Sequence, residues 1–175
     1  EFPKPVAAAV WNGRLVYADE HAVYFSDIGW PGSIAGDNSF VVPTDEPITS
    51  LAVQGSIILI WTENTTWVYR PNNSGDVVVT AGSLVKASST IGCVGPSAVA
   101  SAGGFGMTFW MDARGCYQSQ GNFSDVQEIS QGIKPFFTGF LSNPLHHYFT
   151  TSGQLLNPDS GTLLTQPRTT LQLDT

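Results

Sequence analysis

The feature that most constrains this chain is a repeated hairpin centred on glycine. Three segments each read as an apolar strand, a glycine turn, a second apolar strand, an acidic turn and an aromatic strand. The turn glycines are Gly13, Gly55 and Gly103, which lie 42 and 48 residues apart. A tight hairpin turn often needs a positive φ angle, which glycine adopts without steric cost. A period of about 40 to 50 residues is typical of β-propeller blades, so we expect an all-β, propeller-like array of antiparallel sheets.

Stacking explains why such units repeat. A four-stranded sheet alone leaves both faces in water, whereas a second twisted sheet laid on it buries a continuous face. Trp67 stands in the aromatic strand of the second unit and Trp110 at the end of the apolar strand of the third, and burying one such side chain contributes about 2–3 kcal/mol. Helical spacing of apolar residues is nearly absent. We therefore expect the sheets to pack face to face through their aromatic side chains.

The repeat also suggests unit boundaries. We place approximate units at residues 6–43, 44–88, 89–135 and 136–156, the last being a weaker copy around Gly153. Residues 157–175 are polar and form either a β-arm or a truncated connection. At about 45 residues per blade the chain holds three to four blades. Either it is a fragment of a larger propeller, or its array closes through partner chains.

Charge limits the partners that the chain can have. Charged residues make up 12% of the sequence, against about 25% in a typical globular domain. The net charge is −7, and the seven Lys and Arg residues form no cluster. A nucleic-acid groove needs clustered basic residues, so we expect no sequence-specific nucleic-acid binding. The longest apolar run, residues 57–61, is far shorter than the roughly 20 residues of a membrane span.

No catalytic pattern stands out. Acids occur near the repeated turns, with Glu20, Glu63 and Asp112 at matching places. Carboxylates at hairpin turns ordinarily accept hydrogen bonds from local amides or face water. The chain lacks the G-x-S-x-G motif that presents a serine nucleophile. We expect a protein that is not an enzyme.

Metal and cofactor signals are equally weak. His146 and His147 are adjacent in an apparent strand and therefore point to opposite faces, and His21 stands in a turn. The oxygen-rich stretches 37–39 and 45–46 lack the spacing of a calcium loop. We expect no metal and no cofactor. Cys93 and Cys116 either pair across strands or act as small buried hydrophobic residues, and the second interpretation is favoured.

Several short motifs follow one another in an order that carries more weight than any of them alone. They are residues 13–17, residues 23–27 with the Gly/Pro loop after them, residues 45–51, the strand 55–60 with Trp67-Val68-Tyr69, the Ser-x-x-Gly-x-x-Gly stretch 89–95, and residues 109–117. This order resembles that of the β-propeller tail proteins of short-tailed double-stranded DNA phages, both the nozzle or tail-tubular type and the DNA-stabilisation type. The resemblance covers roughly residues 10 to 135.

The resemblance implies a structural virion protein of a phage tail. Proteins of this kind form rings that line or close the DNA channel, hold packaged DNA until ejection, and assemble with other virion and tail proteins. The resemblance thus implies a homo-oligomeric ring located in the virion. Family members run to several hundred residues, so the present length departs from the family pattern.

Two aromatic residues outside the repeated strands are candidates for an assembly interface. Trp30 and Phe40 lie in or beside a Gly/Pro-rich loop, and exposed aromatic side chains dominate contact energy. The alternative is that both fold back onto their own blade. A second function is also open, a lectin-like module that binds a glycan or a receptor, in which Trp11, Trp30 and Trp61 supply stacking faces.

Overall fold

The structure is a computed structural model that describes residues 4–35, 38–71, 83–102, 106–121, 123 and 125–133. These residues belong to the first of two units into which the chain divides, Glu1–Lys134. The second unit, Pro135–Thr175, lies outside the described residues. The same holds for Gly103, for the proposed fourth repeat 136–156 and for the proposed arm 157–175.

The described residues form three four-stranded antiparallel sheets, each built from four consecutive strands. The first sheet contains β1 (Ala7–Trp11), β2 (Arg14–Ala18), β3 (Ala22–Phe25) and β4 (Ser39–Val41). The middle sheet contains β5 (Ile48–Gln54), β6 (Ile57–Thr62), β7 (Thr66–Arg70) and β8 (Ser83–Ser88). The third sheet contains β9 (Val99–Ala102), β10 (Met107–Asp112), β11 (Gly115–Gln120) and β12 (Asp125–Glu128).

The all-β prediction is confirmed. Within the described ranges the helical segments are single turns of 3-10 helix, Pro96–Ala98 and Gln131–Ile133. The three described sheets do not close into a ring, so the propeller arrangement stays a prediction.

Glycines with positive φ angles turn the chain between the first and second strands of the sheets. Asn12 and Gly13 have φ angles of 46° and 73°, the pair of positive values that a two-residue type I′ hairpin turn needs. Gly55 has a φ of 59° in the turn after β5. In the third sheet Gly106, with a φ of 60°, stands directly before β10.

The middle sheet is buried on both faces. Every residue of β6 is buried, and successive side chains of a strand point to opposite faces. Ile58 and Ile60 belong to the apolar cluster shared with the first sheet. Leu59 and Trp61 belong to the cluster shared with the third sheet. This double burial explains the continuous apolar run 57–61.

Aromatic rings fill both inter-sheet cores. Between the first and middle sheets, Phe25 lies 5.8 Å from Tyr69, measured between ring centroids. Between the middle and third sheets, Trp61 lies 5.5 Å from Trp110. Trp110 also stacks on Tyr117, with the ring centroids 5.8 Å apart. The sheets therefore pack face to face through aromatic side chains, as the repeat predicts.

Each of the two connections between sheets is held by a backbone hydrogen bond to the sheet that it leaves. The amide of Ile48, which begins the middle sheet, donates to the carbonyl of Glu20 at 2.7 Å. The amide of Cys93, on the way to the third sheet, donates to the carbonyl of Thr62 at 2.9 Å. In the first case the acceptor lies in the turn between the second and third strands of the sheet that the chain leaves, and in the second case it is the strand residue directly before that turn.

The two cysteines are free thiols in different surroundings. Cys93 is fully buried in the core between the middle and third sheets, and this burial raises the pKa of its thiol. Cys116 is half-buried on β11. Cys93 therefore fits the favoured interpretation of a small buried hydrophobic residue, whereas Cys116 is only half-buried.

Candidate assembly surfaces

The first strands of the three sheets lie next to one another. β5 packs between β1 and β9, and the cleft along them encloses about 320 Å³. Its lining is small and mostly apolar: three alanines, three valines, Leu51, Pro96 and Ser101. β1, β5 and β9 contain no charged residue. We call these three strands the inner wall, and it presents neither a cation nor a carboxylate.

A tightly bonded loop displays Trp30 to solvent. Asp27 donates its amide to the carbonyl of Ser33 at 2.8 Å, and the Ser33 hydroxyl donates to Asp27 Oδ2 at 2.6 Å. The amide of Trp30 donates to the carbonyl of Asp27 at 3.1 Å. Trp30 is 73% exposed and its neighbour Ile28 is 60% exposed. The loop therefore holds two apolar side chains outward in a defined conformation, and the interface role of Trp30 stays a prediction.

The side chain of Phe40 packs back into the core instead of facing solvent. It lies on β4, partly buried, with its ring centroid 4.6 Å from that of Tyr69. It is also 6.1 Å from the ring of Phe25. Its side chain therefore belongs to the core between the first and middle sheets, and Trp30 and Phe40 do not come together on one surface.

One polar residue organises the turn between the second and third strands of each sheet. Asp19 Oδ1 accepts from the amides of His21 and Ala22, and Thr62 Oγ1 accepts from the amide of Thr65. In the third sheet the corresponding acceptor is Asp112, whose Oδ1 accepts from the amide of Arg114 at 2.9 Å. The acids aligned from the sequence, Glu20, Glu63 and Asp112, thus match this set only at Asp112.

Asp112 also connects the third sheet to the chain that precedes it. Its side chain is 1% exposed, and Oδ2 accepts from the amide of Gly92 at 3.0 Å and from Arg114 Nη2 at 2.6 Å. Arg114 Nε donates to Oδ1 at 3.1 Å, so the guanidinium binds the carboxylate through two nitrogens. The carboxylate therefore has a structural role, joining a turn to an inter-sheet connection.

Glu46 has the corresponding role in the middle sheet. Its carboxylate accepts from the Thr62 hydroxyl, and from the amide and the side chain of Asn64 at 3.2 and 3.1 Å. The hydrogen bond from Thr62 lowers the pKa of Glu46 below its ordinary value, and the bonds from Asn64 lower it further against the opposing effect of burial. The ionised form is thus the one that the fold binds.

This shift predicts a pH dependence of stability. Because the folded pKa of Glu46 lies below its unfolded value of 4.5, its stabilisation is complete above that pH and is lost as the pH falls through the folded pKa. We expect Glu46→Gln to cost about 1 kcal/mol at pH 7 and to flatten the fall in the urea midpoint between pH 6 and pH 3. Glu63→Gln, an exposed carboxylate on the same turn, is the control. An equal flattening in both variants contradicts this assignment.

Gln54 joins the middle sheet to the third sheet at the other end of the strands, beside the turn between β5 and β6. The side chain is 2% exposed. Its Nε2 donates to the carbonyl of Gly106 at 3.0 Å and to that of Ser119 at 2.8 Å, and its Oε1 accepts from the Ser119 hydroxyl at 3.2 Å. Nothing in the local repeat pattern singles this residue out.

We expect Gln54→Leu to lower the free energy of unfolding by about 2–3 kcal/mol, because it removes the hydrogen bonds that the buried Gln54 amide makes to the carbonyl and the hydroxyl of Ser119. Urea unfolding followed by tryptophan fluorescence measures the loss. The matched control is Gln120→Leu, at an exposed position of β11. A loss at Gln54 no greater than that at Gln120 would show that the buried amide is dispensable.

Metal ligands do not converge in the part of the chain that the structure describes. No group of three or more His, Cys, Asp and Glu side chains there is arranged to hold an ion. His21 lies exposed in the turn before β3. Asp37, His146 and His147 lie outside the described residues.

Comparison of the chain with protein-family models finds no match, and comparison with the curated proteins finds none either. Within the described residues no helix has the length and apolar character needed to cross a bilayer. The functional argument therefore depends on the surfaces themselves.

Proposed function

We propose that this chain is a structural component of a phage tail, an assembly module of the hub or nozzle type that lines or closes the DNA channel. In this proposal the three stacked sheets are blades of a β-propeller-like array. Copies of the chain form a ring with other tail proteins, and the order of motifs along residues 10 to 135 supports this reading. The observation that carries the proposal is the uncharged inner wall.

The chemistry of the inner wall suits a channel through which DNA moves. Proteins hold DNA mainly by neutralising phosphates with Lys and Arg. The strands β1, β5 and β9 supply none, and their exposed side chains, such as Ala8 and Ser101, are small. The net charge of −7 adds weak repulsion at long range. A duplex would slide past such a wall without being retained.

The exposed loop supplies the contact to other tail proteins. Tryptophan is enriched among the residues that dominate binding energy, and Trp30 is 73% exposed on a loop fixed by internal hydrogen bonds. A preformed loop loses little conformational entropy when it docks. The engagement of Asp19, Glu46 and Asp112 as acceptors for turn and connection groups supports a non-enzymatic role.

Two measurements on the purified full chain test this function. Negative-stain microscopy at high protein concentration should show rings with an open centre, and fluorescence anisotropy with duplex DNA should show no binding at physiological salt. Compact particles that never form rings would contradict the assembly role. DNA binding that weakens steeply with salt would contradict the proposal that a duplex slides past the inner wall without being retained.

The exposed Trp30 also favours a second candidate, a lectin-like module for glycans or a receptor. An exposed indole offers a stacking face to a sugar ring, and Asp27 and Ser33 lie beside it. A glycan array probed with the wild type and with Trp30→Ala separates the two functions. Glycan binding that is lost in Trp30→Ala would replace the tail proposal, whereas no binding by the wild type removes this candidate.

A further inference from the structure

The turn between β1 and β2 contains a chemically reactive dipeptide, Asn12-Gly13. It is the one place in the sequence where glycine follows asparagine, and both residues are exposed. The two strands pair as far as Trp11 and Arg14, so the dipeptide forms the whole turn. Glycine has no side chain to shield its own nitrogen, and proximity favours an intramolecular attack that closes a five-membered ring. The dipeptide therefore combines the sequence and the exposure that deamidation of asparagine requires.

Hydrogen bonding leaves the attacking nitrogen available at Asn12. Among the described residues the amide of Gly13 has no acceptor. Asn64 is the contrast, since it is also exposed in a turn. Its successor Thr65 is β-branched and donates its amide to Thr62 Oγ1 at 2.9 Å. The local structure therefore opposes the reaction at Asn64 and not at Asn12.

The closed turn limits the rate of the reaction. The φ angles of Asn12 and Gly13, 46° and 73°, are those of a type I′ turn, in which the first central residue has a ψ of about 30°. At that ψ the Asn12 side chain and the Gly13 nitrogen point away from each other, so the turn has to open before they meet. Exposed turns open at a small free-energy cost compared with global unfolding. Deamidation is therefore slower here than in an unfolded chain, but it does not require the sheet to unfold.

We propose that Asn12 is a site of spontaneous deamidation and that its conversion releases the loop that carries Trp30. The Gly13 nitrogen attacks Asn12 Cγ and forms a new C–N bond. The Gly13 amide proton passes through solvent to the side-chain nitrogen, which leaves as ammonia. Water then opens the resulting succinimide ring, either at Cγ to give aspartate or at the backbone carbonyl carbon to give isoaspartate. Both products carry a new carboxylate.

Isoaspartate lengthens the backbone of this two-residue turn by one methylene group. The carbonyl of Gly13 accepts from the amide of Gly29 at 3.1 Å, and Ile28 Cγ2 lies 3.7 Å from the position of a β-carbon on Gly13. Because strand pairing holds both ends of the turn, the added backbone atom displaces this carbonyl. The loop that carries Trp30 then loses its hydrogen bond to the hairpin. This consequence goes beyond the proposed function, since it holds for any partner that the loop contacts.

Mass spectrometry of the full chain, incubated in mildly alkaline buffer and then digested, tests the modification. The peptide that contains Asn12 should gain one mass unit and separate into aspartate and isoaspartate forms. The conversion should be faster at higher pH, because the attacking nitrogen must lose its proton. The peptide that contains Asn64 should keep its mass over the same time. Asn12→Gly is the unreactive variant, because Gly-Gly also suits a type I′ turn.

Two results would overturn the modification. The first is that Asn12 persists in the folded chain until the same site has reacted completely in a urea-unfolded sample, which would show that the closed turn protects it. The second is that Asn64 converts as fast as Asn12, which would show that the hydrogen bond of the following amide and the side chain beside it have no effect.

Amide hydrogen exchange at Gly29 tests the release of the loop. We expect the isoaspartate form to lose the protection of this amide, which the Gly13 carbonyl provides, and to keep that of Ile57–Thr62. Freshly purified Asn12→Asp is the matched control, because it adds the new charge on a normal backbone and aspartate tolerates the turn conformation. Equal protection of Gly29 in the isoaspartate form and the wild type would contradict the release. An equal loss in Asn12→Asp would contradict its assignment to the lengthened backbone.

Discussion

Replacing Trp61 with alanine is expected to lower the free energy of unfolding by about 4 kcal/mol. The side chain is fully buried between the middle and third sheets, with its ring centroid 5.5 Å from that of Trp110. Among the described residues its indole nitrogen has no hydrogen-bond partner, so the loss is one of packing. Urea denaturation followed by circular dichroism measures the change.

Trp30→Ala is the matched control for this prediction, since it removes the same side chain from a position that is 73% exposed. We expect it to change the free energy of unfolding by less than about 0.5 kcal/mol. Similar losses at both positions would mean that Trp61 does not lie in an inter-sheet core.

Replacing Gly92 with alanine is expected to cost about 3 kcal/mol. A β-carbon at this position overlaps the carbonyl group of Glu63 and lies 2.6 Å from the amide nitrogen of Asn64. These are backbone atoms, so they cannot rotate away as a side chain does. The chain between the middle and third sheets must shift, which also weakens the hydrogen bond from the Gly92 amide to Asp112.

Gly32→Ala is the control for the backbone change, because no atom lies within 4 Å of its β-carbon position. We expect thermal unfolding of Gly32→Ala to match the wild type and that of Gly92→Ala to fall by at least 10 °C, given the size of the unit. Equal midpoints for the two variants would show that the connection does not pass the turn of the middle sheet so closely.

The strands were predictable because their signals are local. The glycines of the first two hairpins, Gly13 and Gly55, stand between apolar runs and lie in turns with positive φ angles. The third hairpin offered three glycines between residues 103 and 106, and spacing alone selected Gly103. The described glycine with a positive φ there is Gly106, directly before β10, and Gly103 lies outside the described residues.

The long-range polar contacts were not predictable, since they join residues far apart in sequence. Gln54 reaches Ser119 across 65 positions, and Glu46 reaches Asn64 across 18. The local sequence around a polar residue beside a turn glycine does not indicate such a distant partner. Phe40 shows the same limit: its loop context suggested exposure, but Tyr69, which it meets, belongs to another sheet.

The surface features, too, were predictable only in part. The absence of charge on β1, β5 and β9 is visible in the sequence once the strands are known, but their convergence is not. The grouping of the exposed side chains Val94, Met111 and Ile129 depends on two backbone hydrogen bonds from residues outside β10 and β11. Such groupings arise from the path of the connections between sheets, which the repeat period and the amino-acid composition do not determine.

Amide hydrogen exchange along β6 tests the central claim, that the middle sheet is enclosed between its two neighbours. Buried strands open only through large unfolding events, whereas edge strands exchange through local fraying. The amides of Ile57–Thr62 should therefore be the slowest to exchange among the described strands, and at least a hundredfold slower than those of the edge strands Ser39–Val41 and Asp125–Glu128. Exchange of β6 at the rate of these edge strands would contradict the stacked arrangement and, with it, the assembly role built on it.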